Sequence, residues 1–136
     1  MSDWQKIPSY KTCFVCGDDN PIGLKLKFRA KENIVETEYI PKPEHCGYTG
    51  IVHGGIISAI LDEGMGWTGW LSFHKYYLTA ELKIRLKKSV TLGRKYIFRG
   101  ELLRKVKNIY IAKGSLSDED GNIYAEGEGK YFITDM

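Results

Sequence analysis

The first residues in this sequence that could do chemistry are two acids in an apolar stretch. Asp62 and Glu63 stand side by side between Ile56 and Trp70, where most neighbours are hydrophobic. Burying an unpaired charge is costly, so an acid kept in such a place usually has a partner or a task. Just upstream lies His53-Gly54-Gly55. If a helix begins at the glycines, its first N–H groups have no intrahelical acceptor and no side chain shields them. Together with the helix dipole they form a place for a negatively charged oxygen. An anion site at a helix start and a carboxylate further along the same helix are the two features here that could do chemistry. The plainer readings are a structural Asp62 bonded to nearby backbone and a His53 that only packs or caps. Neighbours on a helix point about 100° apart, so Glu63 faces elsewhere and reads as structural, a cap or an ion pair with another subunit.

These residues need elements to hold them. Ile56, Ile57, Ala59, Ile60, Leu61, Met65, Trp67 and Trp70 spread around most of a helical wheel. That predicts a helix from Gly54 to about Leu71 with protein on nearly every side. Strict alternation in Leu24-Lys25-Leu26-Lys27-Phe28 predicts a strand, and a second is expected from about Asn33 to Ile40. Pro41-Lys42-Pro43-Glu44 then interrupts regular structure. After the helix, Ala80, Leu82, Ile84 and Leu86 share one strand face opposite Glu81, Lys83, Arg85 and Lys87. Lys95–Lys105, Asn108–Ser117 and Asn122–Thr134 read as three further strands, the last two joined by an Asp118-Glu119-Asp120-Gly121 hairpin loop. Ala125, Gly127 and Gly129 fall on one face, where small residues would let the helix approach the sheet. The fold class is therefore α+β: a six-stranded antiparallel sheet curved around one helix. Residues 1–136 form a single domain, with 1–23 irregular.

Composition narrows the function. Twenty Lys+Arg against 17 Asp+Glu give a formal charge of +3, too mild to suggest nucleic acid. No apolar run is long enough to span a membrane, and Met1 to Lys6 lack a leader's basic head and apolar body, so no membrane partner and a cytoplasmic location are expected. Three cysteines, Cys13, Cys16 and Cys46, argue against a disulfide framework. Cys13-x-x-Cys16 raises zinc, but structural zinc wants four ligands and only the adjacent His45 and Cys46 could complete a set, so no metal is expected. The pair precedes a turn and a strand, which excludes a thioredoxin-like redox motif. Gly17 to Gly23 contains no Gly-Lys-Ser/Thr, which excludes a phosphate loop.

The sequence resembles the hotdog-fold acyl-CoA thioesterases, in the branch that includes the phenylacetate-degradation and hydroxybenzoyl-CoA enzymes. Those proteins carry His-Gly-Gly at the start of a central helix and an acid nine residues after the histidine, which here is Asp62. Cys13-Phe14-Val15-Cys16-Gly17, Asn20-Pro21 and Gly23-Leu24 are similar to the beginning of a subset of them. Thr79-Ala80-Glu81-Leu82-Lys83-Ile84 and Val90-Thr91-Leu92-Gly93 resemble the strand and turn after the helix. The resemblance implies a hotdog fold and hydrolysis of an acyl-CoA, with no cofactor beyond the coenzyme A of the substrate. It implies Asp62 as general base or nucleophile, the N–H groups of Gly54 and Gly55 as oxyanion donors, His53 contributing its backbone position, and Thr79 helping to hold the water or the acid. Gly47, Tyr48 and Val52 become candidate substrate contacts. Trp67 reads first as core or interface and second as an acyl-pocket contact, and the basic face Lys83, Arg85, Lys87 and Lys88 reads first as solvated and second as a partner for coenzyme A phosphates. It also implies a homodimer or a dimer of dimers, with Asp62 reaching the substrate from the other subunit. An uncovered edge strand points the same way, because it invites pairing.

One position departs from the pattern. Several relatives place Asn or Gln six residues before the histidine, and here that residue is Gly47. His45, Cys46 or Tyr48 are the available replacements. The departure keeps a non-catalytic acyl-CoA binding or sensing protein in view. A hotdog enoyl-CoA hydratase or dehydratase is the other rival, with Asp62 and His53 as its acid and histidine.

Overall fold

Seven strands and one long helix make up the computed structural model, which describes residues 4–135. Residues 1–3 of the start read above for a leader lie outside the described residues. In chain order the elements are β1 (Gln5–Lys6), β2 (Arg29–Lys31), β3 (Ile34–Tyr39), α1 (Gly54–Phe73), β4 (Tyr76–Leu86), β5 (Tyr96–Val106), β6 (Ile109–Asp118) and β7 (Ile123–Thr134). A short 3-10 turn, Pro43–His45, occupies the proline segment. All strands form one antiparallel sheet in the order β1-β2-β3-β5-β6-β7-β4. The helix lies along one face and contacts β3 to β7. This is the hotdog arrangement, a curved sheet around a central helix.

The reasons are local. His53 adopts an extended conformation at the N-cap, and His74 closes α1 in the left-handed region with its N–H on the Trp70 carbonyl. Ile60, Leu61 and Met65 are fully buried under the helix, and each such side chain contributes about 1.5–3 kcal/mol relative to exposure. At the β6–β7 hairpin Gly121 takes φ +87°, as Asp-Gly turns require. The Asp118 carboxylate accepts from the N–H groups of Asp120 (3.0 Å) and Asn122 (2.9 Å), from Asn122 Nδ2 (3.0 Å) and from Arg94 (3.0 Å). Those bonds, the Asn122 side chain foremost, hold its pKa down at about 2.

Three expectations change. The segment Leu24–Phe28 alternates in burial as expected but forms no strand. Lys25 sits in the left-handed region (φ 55°), and the segment bonds instead to the loop before it, Leu24 N–H to Phe14 O (2.8 Å) and Leu26 N–H to Val15 O (2.9 Å). The sheet has seven strands rather than six, because Leu24–Phe28 drops out while two unexpected short strands, β1 and β2, pair with each other at the sheet's end. The small residues that permit close packing lie mainly on the helix, not on β7. A side chain at Gly64, Gly66 or Gly69 would overlap the rings of Phe98, Tyr77 and Tyr110 respectively. Gly127 is closest to Ile84 (2.6 Å from its added Cβ) and Gly129 to Tyr131, so β7 makes room chiefly for its own sheet. Tyrosine hydroxyls complete the packing by donating to helix carbonyls, Tyr131 to Asp62 (3.0 Å) and Tyr110 to Gly66 (2.6 Å).

β4 lies at the end of the sheet and pairs only with β7 among the described residues. Its 11 residues are largely exposed, with Leu78 at 51% and Leu86 at 53%. A long unpaired edge of this kind is a template for pairing.

Candidate active site

The helix start differs from a simple pair of free donors. The His53 ring turns back over the first turn, and its Nδ1 accepts the Gly55 N–H at 2.8 Å. That is the capping role, and it removes one of the two donors expected from the sequence. The His53 carbonyl accepts from Ile56 (3.0 Å) and Ile57 (3.3 Å). The Gly54 N–H has no acceptor among the described residues. Both glycines also answer to packing: a Cβ on Gly54 would sit 2.8 Å from Leu86 Cδ1, and one on Gly55 would sit 3.0 Å from the His53 ring.

Gly54 borders a cleft of about 250 Å³ between the helix start and the end of β4. Ile51, Val52, Ile57, Leu86 and Val90 give it apolar walls, and Lys87 and Lys88 stand on its rim. Of the residues expected to meet substrate, Val52 lines this cleft and is buried, while Tyr48 is 84% exposed. The N–H of Gly47 is bonded to the Ile51 carbonyl (2.9 Å), and a side chain there would make ordinary contact with His53 at 3.5 Å. His45 does not replace it. Its ring stacks on Tyr39, and Nδ1 meets the Tyr39 hydroxyl at 2.8 Å, inside the fold. Burial pushes the His45 pKa down.

Asp62 lies two turns along the same helix. Its Oδ1 accepts from Thr79 Oγ1 at 2.9 Å. Burial raises the Asp62 pKa, and the Thr79 bond works against that rise. Thr79 borders an irregularity in the β4–β7 ladder between Thr79 and Glu81. A bulge re-aims side chains, and here it accompanies a hydroxyl turned to the helix carboxylate. Asp62 and Thr79 are thus bonded to each other at the open edge of the sheet.

Asp62 lies eight positions after Gly54 on one continuous helix, about 12 Å at 1.5 Å per residue. Reacting atoms must come within about 3–3.5 Å. The short aspartate side chain does not close that gap. A carbonyl held at Gly54 is therefore beyond the reach of Asp62 in the same chain.

The remaining candidates lie elsewhere. Trp67 is buried against Trp70 and Tyr77, and its Nε1 donates to Glu63 Oε2 at 2.9 Å. Lys83 and Arg85 line a broad groove of about 670 Å³ across β4, β5, β6 and β7, where Arg85 lies 3.8 Å from Glu126. They do not border the cleft at Gly54. Lys87 and Lys88 do; the sequence grouped them with Lys83 and Arg85 in one basic face, read first as solvated and second as a contact for coenzyme A phosphates. Leu86 and Ile57 went unmarked, because nothing local distinguishes an aliphatic residue in a cleft from one in a core. Glu63 meets Cys13, whose Sγ lies 2.9 Å from Oε1. Burial above all pushes Glu63 up to about 7. A hydrogen bond with Cys16 holds the Cys13 thiol down at about 5 and pushes Cys16 up.

Residues 49–125 match the family model of the thioesterase superfamily, which is more than half of the chain. No curated protein matches the sequence. Among solved structures, a thioesterase superfamily protein superposes with a TM-score of 0.82 at 21% identity, covering 89% of this chain. This chain spans only 63% of that protein's length. A hypothetical thioesterase from Streptococcus pneumoniae, solved with coenzyme A, gives 0.72 at 17% identity and coverages of 78% and 85%. A Streptococcus mutans protein bound to acetyl CoA gives 0.73 at 18% identity, with coverages of 81% and 89%.

Proposed function

The chain belongs to the thioesterase superfamily, and from that premise we propose that it hydrolyses acyl-CoA thioesters, yielding a free carboxylic acid and coenzyme A. The observation that carries this reading is the division of one helix into two halves of a site. Gly54 offers a bare N–H in a cleft, and Asp62 offers a carboxylate about 12 Å away. Two antiparallel copies of α1 related by a two-fold axis near residue 58, midway between 54 and 62, would bring each Gly54 opposite the partner's Asp62. Edge-to-edge pairing of β4 would support that arrangement, so the working unit is a homodimer with two equivalent sites; pairs of dimers would preserve both.

In each site the thioester carbonyl accepts from the Gly54 N–H, which stabilises negative charge on oxygen as the carbon becomes tetrahedral. The Asp62 carboxylate of the other subunit takes a proton from water as the water attacks, or attacks the carbonyl itself and is then released by water. Thr79 keeps that carboxylate oriented and ionised. The C–S bond breaks and the coenzyme A thiolate leaves. The apolar cleft suits the pantetheine arm, and Lys87 and Lys88 suit the phosphates beyond it. The coenzyme A and acetyl CoA bound to two of the structural neighbours support this ligand class.

A panel of acyl-CoA thioesters assayed by thiol release on wild type and Asp62→Ala tests the proposal. Release that drops by about 10² or more in the variant is the expected result. Binding with no thiol released from any thioester would make the protein a carrier or sensor, the reading that the missing side chain at Gly47 favours. Hydration of an enoyl-CoA without thiol release would assign it to the hydratase class.

A further inference from the structure

Two sulfurs and a carboxylate converge at α1, at the residue next to Asp62. Cys13 Sγ, Cys16 Sγ and a carboxylate oxygen of Glu63 all lie within 4.8 Å of one another. Cys16 is buried, and Cys13 and Glu63 are partly buried. No sequence spacing revealed this cluster, because Glu63 comes from 50 residues downstream of Cys13. The sequence offered His45 and Cys46 as completing ligands, and His45 is bonded to Tyr39 instead.

The ligands are held from outside, as first-contact groups in metal sites are. The Cys13–Cys16 loop closes through Gly17 N–H on the Cys13 carbonyl (2.9 Å) and is tied down by Leu24 and Leu26. Any side chain at Gly17 would overlap the backbone of Tyr10, Lys11 and Cys13, so the turn depends on glycine. The Val15 N–H points at Cys13 Sγ at 3.3 Å, as a donor to a thiolate would. Trp67 Nε1 occupies Glu63 Oε2, which leaves Oε1 facing the sulfur. Glu63 is accordingly oriented by a partner that is not one of the sulfurs.

We propose that Cys13, Cys16 and Glu63 bind a borderline-soft divalent cation of the zinc class, with a fourth position for water or another exchangeable ligand. Metal–sulfur and metal–oxygen bonds of about 2.3 and 2.0 Å in tetrahedral geometry place sulfurs about 3.8 Å apart and sulfur about 3.5 Å from oxygen. The Cys13–Glu63 contact of 2.9 Å therefore opens by about 0.6 Å, which side-chain rotation supplies. Two thiolates select against magnesium and calcium. The ion would join the N-terminal loop to the middle of α1, one residue from Asp62.

Cobalt titration of the reduced, chelator-stripped protein under anaerobic conditions tests this. The expected result is one cobalt per chain, with a thiolate-to-cobalt charge-transfer band, tetrahedral visible bands, and displacement of both by zinc. Cys13→Ser and Cys16→Ser each reduce the charge-transfer intensity, and Glu63→Gln keeps it while weakening binding at least about tenfold. Circular dichroism of the three variants separates loss of a ligand from loss of fold, and Glu63→Gln, which preserves shape, carries the test if the cysteine variants unfold. The proposal is overturned if excess cobalt produces no band in the folded wild type, or if Glu63→Gln binds as tightly as wild type. It is equally overturned if Cys13 and Cys16 oxidise to a disulfide at the same rate with and without excess zinc, which would make them a redox pair.

Discussion

If Gly54 and Asp62 act on one carbonyl only across two subunits, two inactive variants should repair each other. Gly54→Pro deletes the proposed oxyanion donor with little damage to the helix. Gly54 is the first helical residue, where proline is favoured, and His53 before it has ψ 133°, the conformation a residue before proline needs. The added ring carbons press on Leu86 Cδ1, the tip of an exposed side chain that can move. Losing one donor should cost about 10²–10³ in rate, and Asp62→Ala about 10²–10⁴. Each homodimer is then nearly inactive. In a mixed dimer one site carries both defects, and the other combines an intact Gly54 with an intact Asp62. Random reassortment of equal amounts makes about half the dimers mixed, each with one good site of two, so activity should return to about a quarter of wild type. The assay is thiol release after co-refolding or co-expression, with differently tagged chains so that mixed dimers can be isolated; isolated mixed dimers should reach about half. If purified mixed dimers are no more active than the mean of their parents, the shared-site geometry is wrong.

Other perturbations read other parts of the structure. Thr79→Val removes the hydroxyl bonded to Asp62 while keeping shape; at about 1.5 kcal/mol for a bond to a charged group, kcat should fall about tenfold, with the urea midpoint little changed. Gly69→Ala would ordinarily strengthen a helix by about 1 kcal/mol, but here the methyl meets the Tyr110 ring at an overpacking cost of about 1–3 kcal/mol, and chemical denaturation should show a net loss of up to about 2 kcal/mol. Asp118 has a folded pKa of about 2 against 3.8 ordinarily, so its contribution is complete above about pH 4 and disappears as pH falls through 2. Urea midpoints of Asp118→Asn should be lower than wild type at neutral pH and converge on it toward pH 2; a constant difference across that range would show that the carboxylate charge is not what stabilises the hairpin.

How far the sequence could be read depended on the range of the interaction involved. The helix, its glycine start and the later hairpin strands are written in local pattern, and the structure places them within a few residues of expectation. The link between Thr79 and Asp62 came only from the family resemblance and from no local pattern; the structure shows a hydrogen bond between the two. What failed was of two kinds. Some was stereochemical: Lys25 in the left-handed region stops a strand that alternation alone predicts, and the His53 ring takes the Gly55 N–H although nothing in the order of residues says which way it turns. The rest was long-range. Glu63 and Cys13 are 50 positions apart, and the glycines that admit the sheet's aromatic rings could be assigned to the helix only once Phe98, Tyr77 and Tyr110 were seen against Gly64, Gly66 and Gly69.

The strand order carries a consequence for the life of the chain. β4 follows the helix in sequence, yet its only neighbour among the described strands is β7, the last of them. A ribosome therefore delivers β4 long before its partner exists, and some forty residues must be made before Tyr76–Leu86 can be zipped to Ile123–Thr134. Until then Thr79 has no scaffold against which to hold Asp62. Completion of the sheet, the correct aim of the acid and the presentation of a firm outer edge would thus arrive in a single late event. A nascent chain stalled before β7 would expose β4 with both its sides unpaired, the form most exposed to misassociation, whereas a finished one leaves only its outer side open.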